Sequence, residues 1–231
     1  MAIFAIGDTH LSFSTDKPMT VFKGWDDYVP RLEANWRAVV RETDTVVLPG
    51  DISWAMSLEE AEADFAFLNR LPGEKIILKG NHDYWWNTRR KMEAFFEEKH
   101  FTTLKIVHNN AFRVGDYSIC GTRGWFYDAE SSSDEKVLLR EVARLRTSIQ
   151  AGKQLGGEPL VFLHYPPLSL TQSCSPFLEL LEAEQIKHCY YGHLHGGAMR
   201  LAFRGERNGV HYALVSADSL KFCPQLLFLH P

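Results

Sequence analysis

Five short and mostly apolar runs in this chain each end in a polar motif, and this repeated pairing limits the folds open to it. The runs cover residues 3–6, 45–48, 75–78, 160–163 and 188–191. The motifs that follow them are Asp8-Thr9-His10, Gly50-Asp51, Gly80-Asn81-His82-Asp83, His164 and Gly192-His193-Leu194-His195. Apolar runs of this length are typical of buried strands. Because the carboxyl ends of strands in an open α/β sheet meet at one crevice, the five motifs are expected to form one site.

The motifs supply carboxylate, amide and imidazole groups, which bind divalent metals of intermediate hardness. A glycine precedes Asp51, Asn81 and His193, and a residue without Cβ lets the backbone approach a ligand closely. His193 and His195 are two positions apart and would point to opposite sides of a regular strand, so they can serve one site only from a turn. The residues therefore favour a two-metal hydrolytic site.

The motifs, in this order, resemble those of the calcineurin-like metallophosphoesterases. The family pattern is Asp-x-His, Gly-Asp, Gly-Asn-His-(Asp/Glu), His and Gly-His-x-His, and every element is present between Asp8 and His195. The resemblance implies an α/β fold in which two mixed β-sheets pack face to face with helices outside both. This α/β/β/α sandwich would carry its metal site at the carboxyl ends of strands. Periodicity alone does not give this layer count.

The resemblance also implies a role for each motif residue. Asp51 is expected to bridge two metal ions. The remaining ligands of one ion are expected to be Asp8, His10 and His195, and those of the other are Asn81, His164 and His193. The cofactor is then two divalent or transition-metal ions, with manganese as the first choice. Iron and zinc are the alternatives, because oxygen and nitrogen ligands suit all three metals.

His82 is predicted to be a catalytic residue and not a metal ligand. It follows Asn81 and can point into the cleft, while Asp83 is predicted to accept its ring proton and orient the imidazole. In the expected mechanism, two metals roughly 3.5 to 4 Å apart hold a bridging hydroxide that attacks phosphorus in line with the leaving group. His82 then stabilises charge on the phosphoryl oxygens or donates a proton to the leaving oxygen. The alternative is that His82 and Asp83 only stabilise their loop.

Residues outside the metal motifs indicate possible substrate contacts. Arg123 and Trp125 follow a strand that ends at Cys120, so they are predicted to reach the edge of the cleft. Arg123 would bind phosphate oxygens and Trp125 would stack on a ring, although aromatic residues in such places also serve as packing. The polar segments 12–24 and 127–133 lack periodicity and are predicted to gate the cleft. The expected substrate is a small phosphorylated molecule or nucleotide, as a monoester or a diester.

Helices and hairpins are predicted between the motifs, and together they favour one mixed α/β domain over residues 1–231. Apolar spacing predicts helices near 28–39, 58–68, 87–99 and 132–150. Ser57 and Glu60 form a capping-box pattern for the second helix, and Asn87 is the expected cap of the third. Hairpins are predicted at 112–119 and 201–215, where polar turns separate short apolar pairs.

Composition and charge narrow the functional classes. The formal net charge is −4, which argues against non-specific nucleic-acid binding, although bound cations would make the cleft locally positive. The four cysteines form no Cys-x-x-Cys pair, which indicates free thiols. The chain shows no signal-peptide pattern and no run of about 18 to 20 apolar residues, so a cytoplasmic protein without a membrane partner is expected. Nuclease, protein phosphatase and non-catalytic scaffold are the alternatives, and the oligomeric state stays open.

Overall fold

The computed structural model describes residues 1–125 and 132–229, which form two mixed β-sheets with helices on their outer faces. The strands of the described residues are β1 Ala2–Ala5, β2 Thr45–Pro49, β3 Glu74–Leu78, β4 Leu104–Ile106, β5 Phe112–Val114, β6 Tyr117–Thr122, β7 Glu158–Leu163, β8 His188–Tyr191, β9 Gly205–Arg207, β10 Val210–Leu214 and β11 Gln225–Leu229. The helices are α1 Tyr28–Val39, α2 Glu62–Arg70, α3 Arg89–Glu98, α4 Ser132–Gln154 and α5 Ser175–Ala183. Short 3₁₀ turns lie at Met19–Val21 and Gly196–Leu201. The predicted fold class is confirmed, and the single-domain boundary stays a prediction.

Both sheets are mostly parallel, with antiparallel strands at their edges. The first sheet has the order β11-β1-β2-β3-β4, and only β11 in it runs antiparallel to its neighbour. The second sheet has the order β5-β6-β7-β8-β10-β9, and its antiparallel strands are β5 and β9 at the two ends. Strand β11 is not among the predicted strands, and it completes the first sheet beside β1.

Alternate residues of the central strands pack into different layers, which explains why these strands are apolar on both faces. In β1, Ile3 belongs to the core between the two sheets, whereas Phe4 packs into the core under α1, α2 and α3. In β7, Phe162 faces the same middle core, whereas Val161 packs with residues of α4 and α5. The layers therefore follow the order helix, sheet, sheet, helix.

The five runs predicted to be strands are β1, β2, β3, β7 and β8, so each polar motif does follow a strand. The first three motifs lie at the carboxyl ends of neighbouring parallel strands in the first sheet. The last two lie at the carboxyl ends of β7 and β8, which are parallel neighbours in the second sheet. A bridge between Gly7 and Ser216 connects the two sheets beside the motifs. The site therefore forms where the two sheets meet.

Helices α1, α3 and α4 lie close to their predicted positions, and α2 begins later than predicted. Only one of the two hydrogen bonds of the predicted Ser57–Glu60 box forms, in which the Glu60 amide donates to Ser57 Oγ over 3.2 Å. The Glu60 carboxylate, however, accepts from the Met56 amide at 2.6 Å, and the box closes a separate turn. Helix α2 then begins at Glu62. Helix α3 is capped by Thr88, one residue beyond the predicted Asn87.

The first predicted hairpin is confirmed as β5 and β6, and the second differs from its prediction. In the second hairpin, β10 pairs with Gly205–Arg207, so residues 201–203 are not its first strand. Most of the predicted gating segment 127–133 lies outside the described residues. All four cysteines are free, as predicted. None of the helices in the described ranges combines the length and the apolarity needed to cross a lipid bilayer.

Candidate metal centre

Four motif residues adopt the left-handed backbone conformation that non-glycine residues rarely take. Their φ angles are 57° at Asp8, 44° at His10, 51° at Asp51 and 72° at His193. Such a conformation costs about 1 to 3 kcal/mol per residue and is concentrated at functional sites. Each of these residues follows a strand end, where the conformation turns the chain sharply. The left-handed conformation of His193 produces the turn that was predicted to let His193 and His195 face one site.

Two glycines allow the loops after β2 and β3 to touch. A Cβ on Gly50 would lie 2.6 Å from the Cα of Gly80 and 2.9 Å from the His164 ring, and its φ is 93°. A Cβ on Gly80 would overlap the Asp51 carboxylate. Any other residue at these positions would push the two loops apart. The glycines before Asp51 and Asn81 are therefore needed because the two loops are too close together to leave room for a Cβ.

The first group of side chains contains Asp8, His10 and His195. The Nε2 atoms of His10 and His195 lie 3.3 Å apart, and Asp8 Oδ1 lies 3.3 Å from His195 Nε2. On its other side, His195 Nδ1 lies 3.1 Å from Asp218 Oδ1, to which it can donate. Asp218 Oδ2 accepts from the Gly196 amide at 2.9 Å, which fixes the carboxylate. Asp218 therefore orients His195 so that its Nε2 faces the site.

The second group contains Asn81, His164 and His193. Asn81 Oδ1 lies 2.6 Å from His164 Nε2 and 2.9 Å from His193 Nδ1. His164 Nδ1 lies 3.1 Å from the Pro49 carbonyl oxygen, to which it donates its proton. Since a neutral imidazole has one N–H, the Nε2 lone pair of His164 then faces the amide oxygen of Asn81. Electron pairs from the two residues converge, which is the arrangement that a cation stabilises.

Asp51 lies between the two groups. Its Oδ2 atom is 3.7 Å from His10 Nε2 and 3.5 Å from His164 Nε2. Its other oxygen accepts from the His82 amide at 2.8 Å. One carboxylate oxygen of Asp51 therefore faces a nitrogen of each group.

Unpartnered buried atoms indicate that the residues fit metal ions. Asp8 Oδ2 and His10 Nδ1 are buried and have no hydrogen-bond partner among the described residues. Two sets of side chains have ligand atoms within 4.8 Å of one another, namely Asp8, His10 and His195, and Asp8, Asp51 and His164. A buried carboxylate oxygen without a partner is costly, and a divalent cation with oxygen and nitrogen ligands removes that cost. The donor set therefore suits the cations that the sequence predicts.

Burial and mutual charge shift the titration of these groups. Burial raises the pKa of Asp51 to about 8, and the charge of Asp8 acts in the same sense. Burial also acts to raise the pKa of Asp8, but the combined attraction of His195, His164 and His10 outweighs it and holds this pKa below its usual range. Burial lowers the pKa of His193 to about 3. At His195, the charges of Asp8 and Asp218 outweigh burial and raise the pKa to about 10, so an entering cation displaces a proton there.

His82 lies beside the first group and does not belong to either set. Its ring centroid is 5.8 Å from that of His10 and 4.4 Å from that of Trp54. Its Nδ1 atom lies 3.4 Å from the hydroxyl of Tyr84. Burial lowers the pKa of His82, and the charges of His164 and His195 act in the same sense. The ring therefore sits at the edge of the site, where its protonation can respond to an incoming anion.

Asp83 does not contact the His82 ring, and here the structure differs from the sequence prediction. Its buried carboxylate accepts five hydrogen bonds, at distances between 2.7 and 3.3 Å. The donors are the backbone amides of Asp51, Ile52, Ser53 and Gly80 and the indole of Trp85. Asp83 is drawn to these amides because a buried charge needs donors on every lone pair. Its role is to join the loops after β2 and β3.

Arg123 and Trp125 follow β6 beside the second ligand group, and their contact with a substrate stays a prediction. The Arg123 guanidinium stacks 4.6 Å above the Trp125 ring and lies 4.0 Å from Glu141. The carboxylate of Glu141 is buried, so this ion pair favours the observed position of the guanidinium. Trp125 packs against the core under α4 and α5. The Arg123 carbonyl accepts from the His164 amide at 3.1 Å, so the backbone of this segment contacts a proposed ligand.

Asp218 is the site residue that sequence reasoning missed. It follows β10, which lies next to β8 in the second sheet, and therefore occupies another strand end at the same edge. The short polar stretch after that apolar strand was the available signal. It was weak because a single Asp after a strand usually caps a turn.

A sequence model of the calcineurin-like phosphoesterases matches residues 1–197, which include both ligand groups. The chain belongs to this family. Membership makes it a metal-dependent phosphoesterase, a hydrolase of phosphate esters. No curated protein sequence matches the chain.

Solved structures share the fold of this phosphoesterase at low sequence identity. Phosphopantetheinyl hydrolase from Mycobacterium tuberculosis has 16% identity and a TM-score of 0.58, with 100% of this chain and 96% of that chain covered. A protein of unknown function from Aquifex aeolicus has 16% identity and a TM-score of 0.53, with 97% and 95% covered. A Thermus thermophilus protein has 12% identity and a TM-score of 0.56, with 92% and 87% covered. At these identities the likeness concerns the fold alone.

Proposed function

We propose that this phosphoesterase binds two divalent cations and hydrolyses phosphate esters between them. One ion would be held by Asp8, His10 and His195, the other by Asn81, His164 and His193, with Asp51 shared. The shared role of Asp51 is supported by its Oδ2 atom, which lies within 3.7 Å of His10 Nε2 and 3.5 Å of His164 Nε2. Asp8 suits that role less well, because it approaches His164 at Nδ1, the nitrogen that donates to Pro49.

The bound cations supply Lewis acidity and an activated water as nucleophile. The chain's own part begins with orientation, because Asp218 and the Pro49 carbonyl hold His195 and His164 with Nε2 towards the other proposed metal ligands. His82 would contact a phosphoryl oxygen or give a proton to the leaving oxygen. Its ring is positioned for this by Trp54 and by the Tyr84 hydroxyl, and not by Asp83.

Manganese is the proposed metal, with iron or zinc as alternatives, since all three accept mixed oxygen and nitrogen ligands. The substrate would be a small phosphorylated molecule, as a monoester or a diester. The cytoplasmic location expected from the sequence stays a prediction, and the free cysteines are compatible with it.

A metal-reconstituted activity screen tests this proposal. The protein is stripped with chelator, loaded separately with Mn²⁺, Fe²⁺ or Zn²⁺, and assayed on phosphate monoesters, linear diesters, cyclic nucleotides and short nucleic acids. We expect close to two ions per chain by elemental analysis, and hydrolysis of at least one small ester. A protein that holds two ions and hydrolyses only nucleic acid would favour the nuclease alternative. A chain that binds no metal would contradict the proposal.

Replacing His82 with Ala should separate catalysis from metal binding. We expect unchanged metal content and a loss of roughly two to four orders of magnitude in kcat, the usual contribution of a positioned acid or base. Elemental analysis and steady-state kinetics on the same preparation provide the measurement. Replacing the exposed His100, which lies outside the site, with Ala is the matched control. Parallel loss of metal and activity in His82→Ala would make His82 a ligand or a scaffold residue.

Replacing Asp218 with Asn should weaken one metal site without removing a ligand. The variant loses the charge that orients His195, and such changes lower metal affinity by roughly 10- to 100-fold. Competition with a chelator of known affinity measures the change, which should appear in one of the two binding steps. Glu206→Gln, at an exposed carboxylate in β9, is the control. Equal weakening of both steps would contradict a role confined to His195.

A further inference from the structure

A cavity of about 450 Å³ opens directly beside the first ligand group. His10, His82 and His195 form the end nearest to the proposed metals. Its volume falls in the range of small-molecule binding sites, roughly 300 to 1,000 Å³. A phosphate at the metals would therefore have room behind it for a sizeable organic group.

Two tryptophans form the side walls of this cavity. Trp54 stacks on His10 with ring centroids 4.9 Å apart and planes at 22°. Trp25 presents its ring to His10 at 5.9 Å and to His195 at 5.7 Å, in both cases edge to face. The two tryptophans thus contact the proposed metal ligands His10 and His195 and also line the cavity. A group bound in the cavity would therefore lie against side chains that also position these ligands.

The outer wall comes from the segment that precedes α1. The 3₁₀ turn Met19–Val21 places Met19 against Trp54, with the Trp54 indole nitrogen 3.4 Å from the Met19 sulfur. Phe22 follows the turn and lines the cavity while 55% exposed. Exposed aromatic side chains at the mouth of a cavity favour contact with an apolar ligand. Lys23 lines the same mouth and carries the opposite charge to a phosphate.

The chemistry of the lining selects among ligands. Among the described residues that line the cavity, no side chain carries a carboxylate, an amide or a hydroxyl group. The exocyclic amino and ring N–H groups of a nucleobase would therefore find no oxygen acceptor among these side chains, and buried polar atoms left unpaired cost binding energy. An alkyl chain or an unsubstituted ring has no such requirement and gains from burial against Met19, Phe22 and the two tryptophans.

We propose that the cavity holds the apolar alcohol portion of the substrate, so that the preferred substrates are phosphate esters of hydrophobic alcohols. This inference rests on the proposed function, because it takes the phosphate to lie at the metals. Phe22 and Met19 would then be specificity-determining residues that contact the alcohol portion and do not contact the metals. It also gives segment 12–24 a role as one wall of the binding site.

A homologous series of n-alkyl phosphates, from ethyl to octyl, tests the proposal on the metal-loaded protein. The leaving alcohols of such a series differ little in acidity, so a trend in kcat/KM reports contacts with the chain. Each buried methylene is worth up to about fourfold. We expect kcat/KM to rise between about tenfold and a hundredfold from ethyl to hexyl. The matching methyl n-alkyl diesters are assayed in parallel, in case the enzyme prefers diesters.

Variants of the cavity wall locate the effect. Phe22→Ala should lower the hexyl-to-ethyl ratio of kcat/KM at least about threefold, and Phe22→Leu should restore most of it. The matched control is Phe13→Ala, since Phe13 is 51% exposed in the same segment and does not line the cavity. A ratio that falls equally in Phe13→Ala and Phe22→Ala would overturn the assignment to this cavity.

Binding of non-hydrolysable alkyl phosphonates separates this proposal from the proposed function. Isothermal titration calorimetry should show octylphosphonate binding at least about tenfold tighter than ethylphosphonate, with the difference reduced in Phe22→Ala. If short esters are hydrolysed and neither kinetics nor binding depends on chain length, the cavity proposal is overturned and the function stands. If no ester is hydrolysed but octylphosphonate binds preferentially, the function and the substrate preference are overturned, and only the binding of an apolar group in the cavity stands. Equal or absent binding of both phosphonates overturns the assignment.

Discussion

Asp51→Asn will remove both metal ions and the hydrolytic activity together. The substitution keeps an oxygen that can accept from the His82 amide but replaces the charged atom between His10 and His164 with a neutral group. Without that shared charge, both ligand groups lose affinity, and we expect activity to fall roughly a thousandfold or more. Elemental analysis and kinetics at saturating metal provide the measurement.

The control for this result lies at the other end of the same strand. Asp44 is also buried, just before β2, and accepts from the backbone amides of Ala2 and Arg41. Asp44→Asn should affect stability and leave metal content unchanged. Loss of one ion with retention of the other in Asp51→Asn would show that Asp51 serves a single ion. Full occupancy and activity would contradict the assignment altogether.

Asp83→Ala will destabilise the protein even when no metal is present. The substitution leaves five donors without their acceptor, four of them backbone amides in the loops after β2 and β3. Unsatisfied buried donors cost about 1 to 3 kcal/mol each and do not add fully, so we expect a loss of about 3 to 5 kcal/mol in the free energy of unfolding. For a chain of this size, that corresponds to a fall in Tm of roughly 10 °C.

Chemical and thermal unfolding of the chelator-treated protein check this expectation. Asp83→Asn should fall between the wild type and Asp83→Ala, because an amide retains one oxygen acceptor. Asp16→Ala, at an exposed position of segment 12–24, should leave the unfolding free energy unchanged. Wild-type stability of metal-free Asp83→Ala would mean that water replaces the carboxylate, and that Asp83 does not hold the loops together.

Much of the fold could be predicted from the sequence because the central strands are mostly apolar on both faces. Ile3 and Phe4 must both be buried, on opposite faces, and only a strand between two packed layers allows this. Likewise, Leu32 and Trp36 fix the inner face of α1. The number of layers was implied only by the family resemblance. The apolar sequence of β7 fits any sheet whose two faces are both covered, whether by helices or by a second sheet.

The parts that were not predictable depend on side-chain direction and on contacts distant in sequence. Adjacent residues at a strand end can point in opposite directions. His82 and Asp83 therefore do not pair, because the Asp83 carboxylate turns to the backbone amides of the neighbouring loops. Arg123 is held by Glu141, a partner on α4 that no local pattern reveals. Asp218 reaches His195 only because β10 lies beside β8. These contacts arise from sheet order, which sequence spacing does not encode.

The proposed ligands of each ion come from both sheets, and this has a consequence for assembly. Asp8 and His10 follow β1 and Asn81 follows β3 in the first sheet, whereas His193 and His195 follow β8 in the second. Neither half of the polypeptide can therefore complete a coordination shell, and a nascent or truncated chain offers the ions only partial chelation. Uptake of the proposed ions would therefore follow the packing of the two sheets, and each ion would tie one sheet to the other.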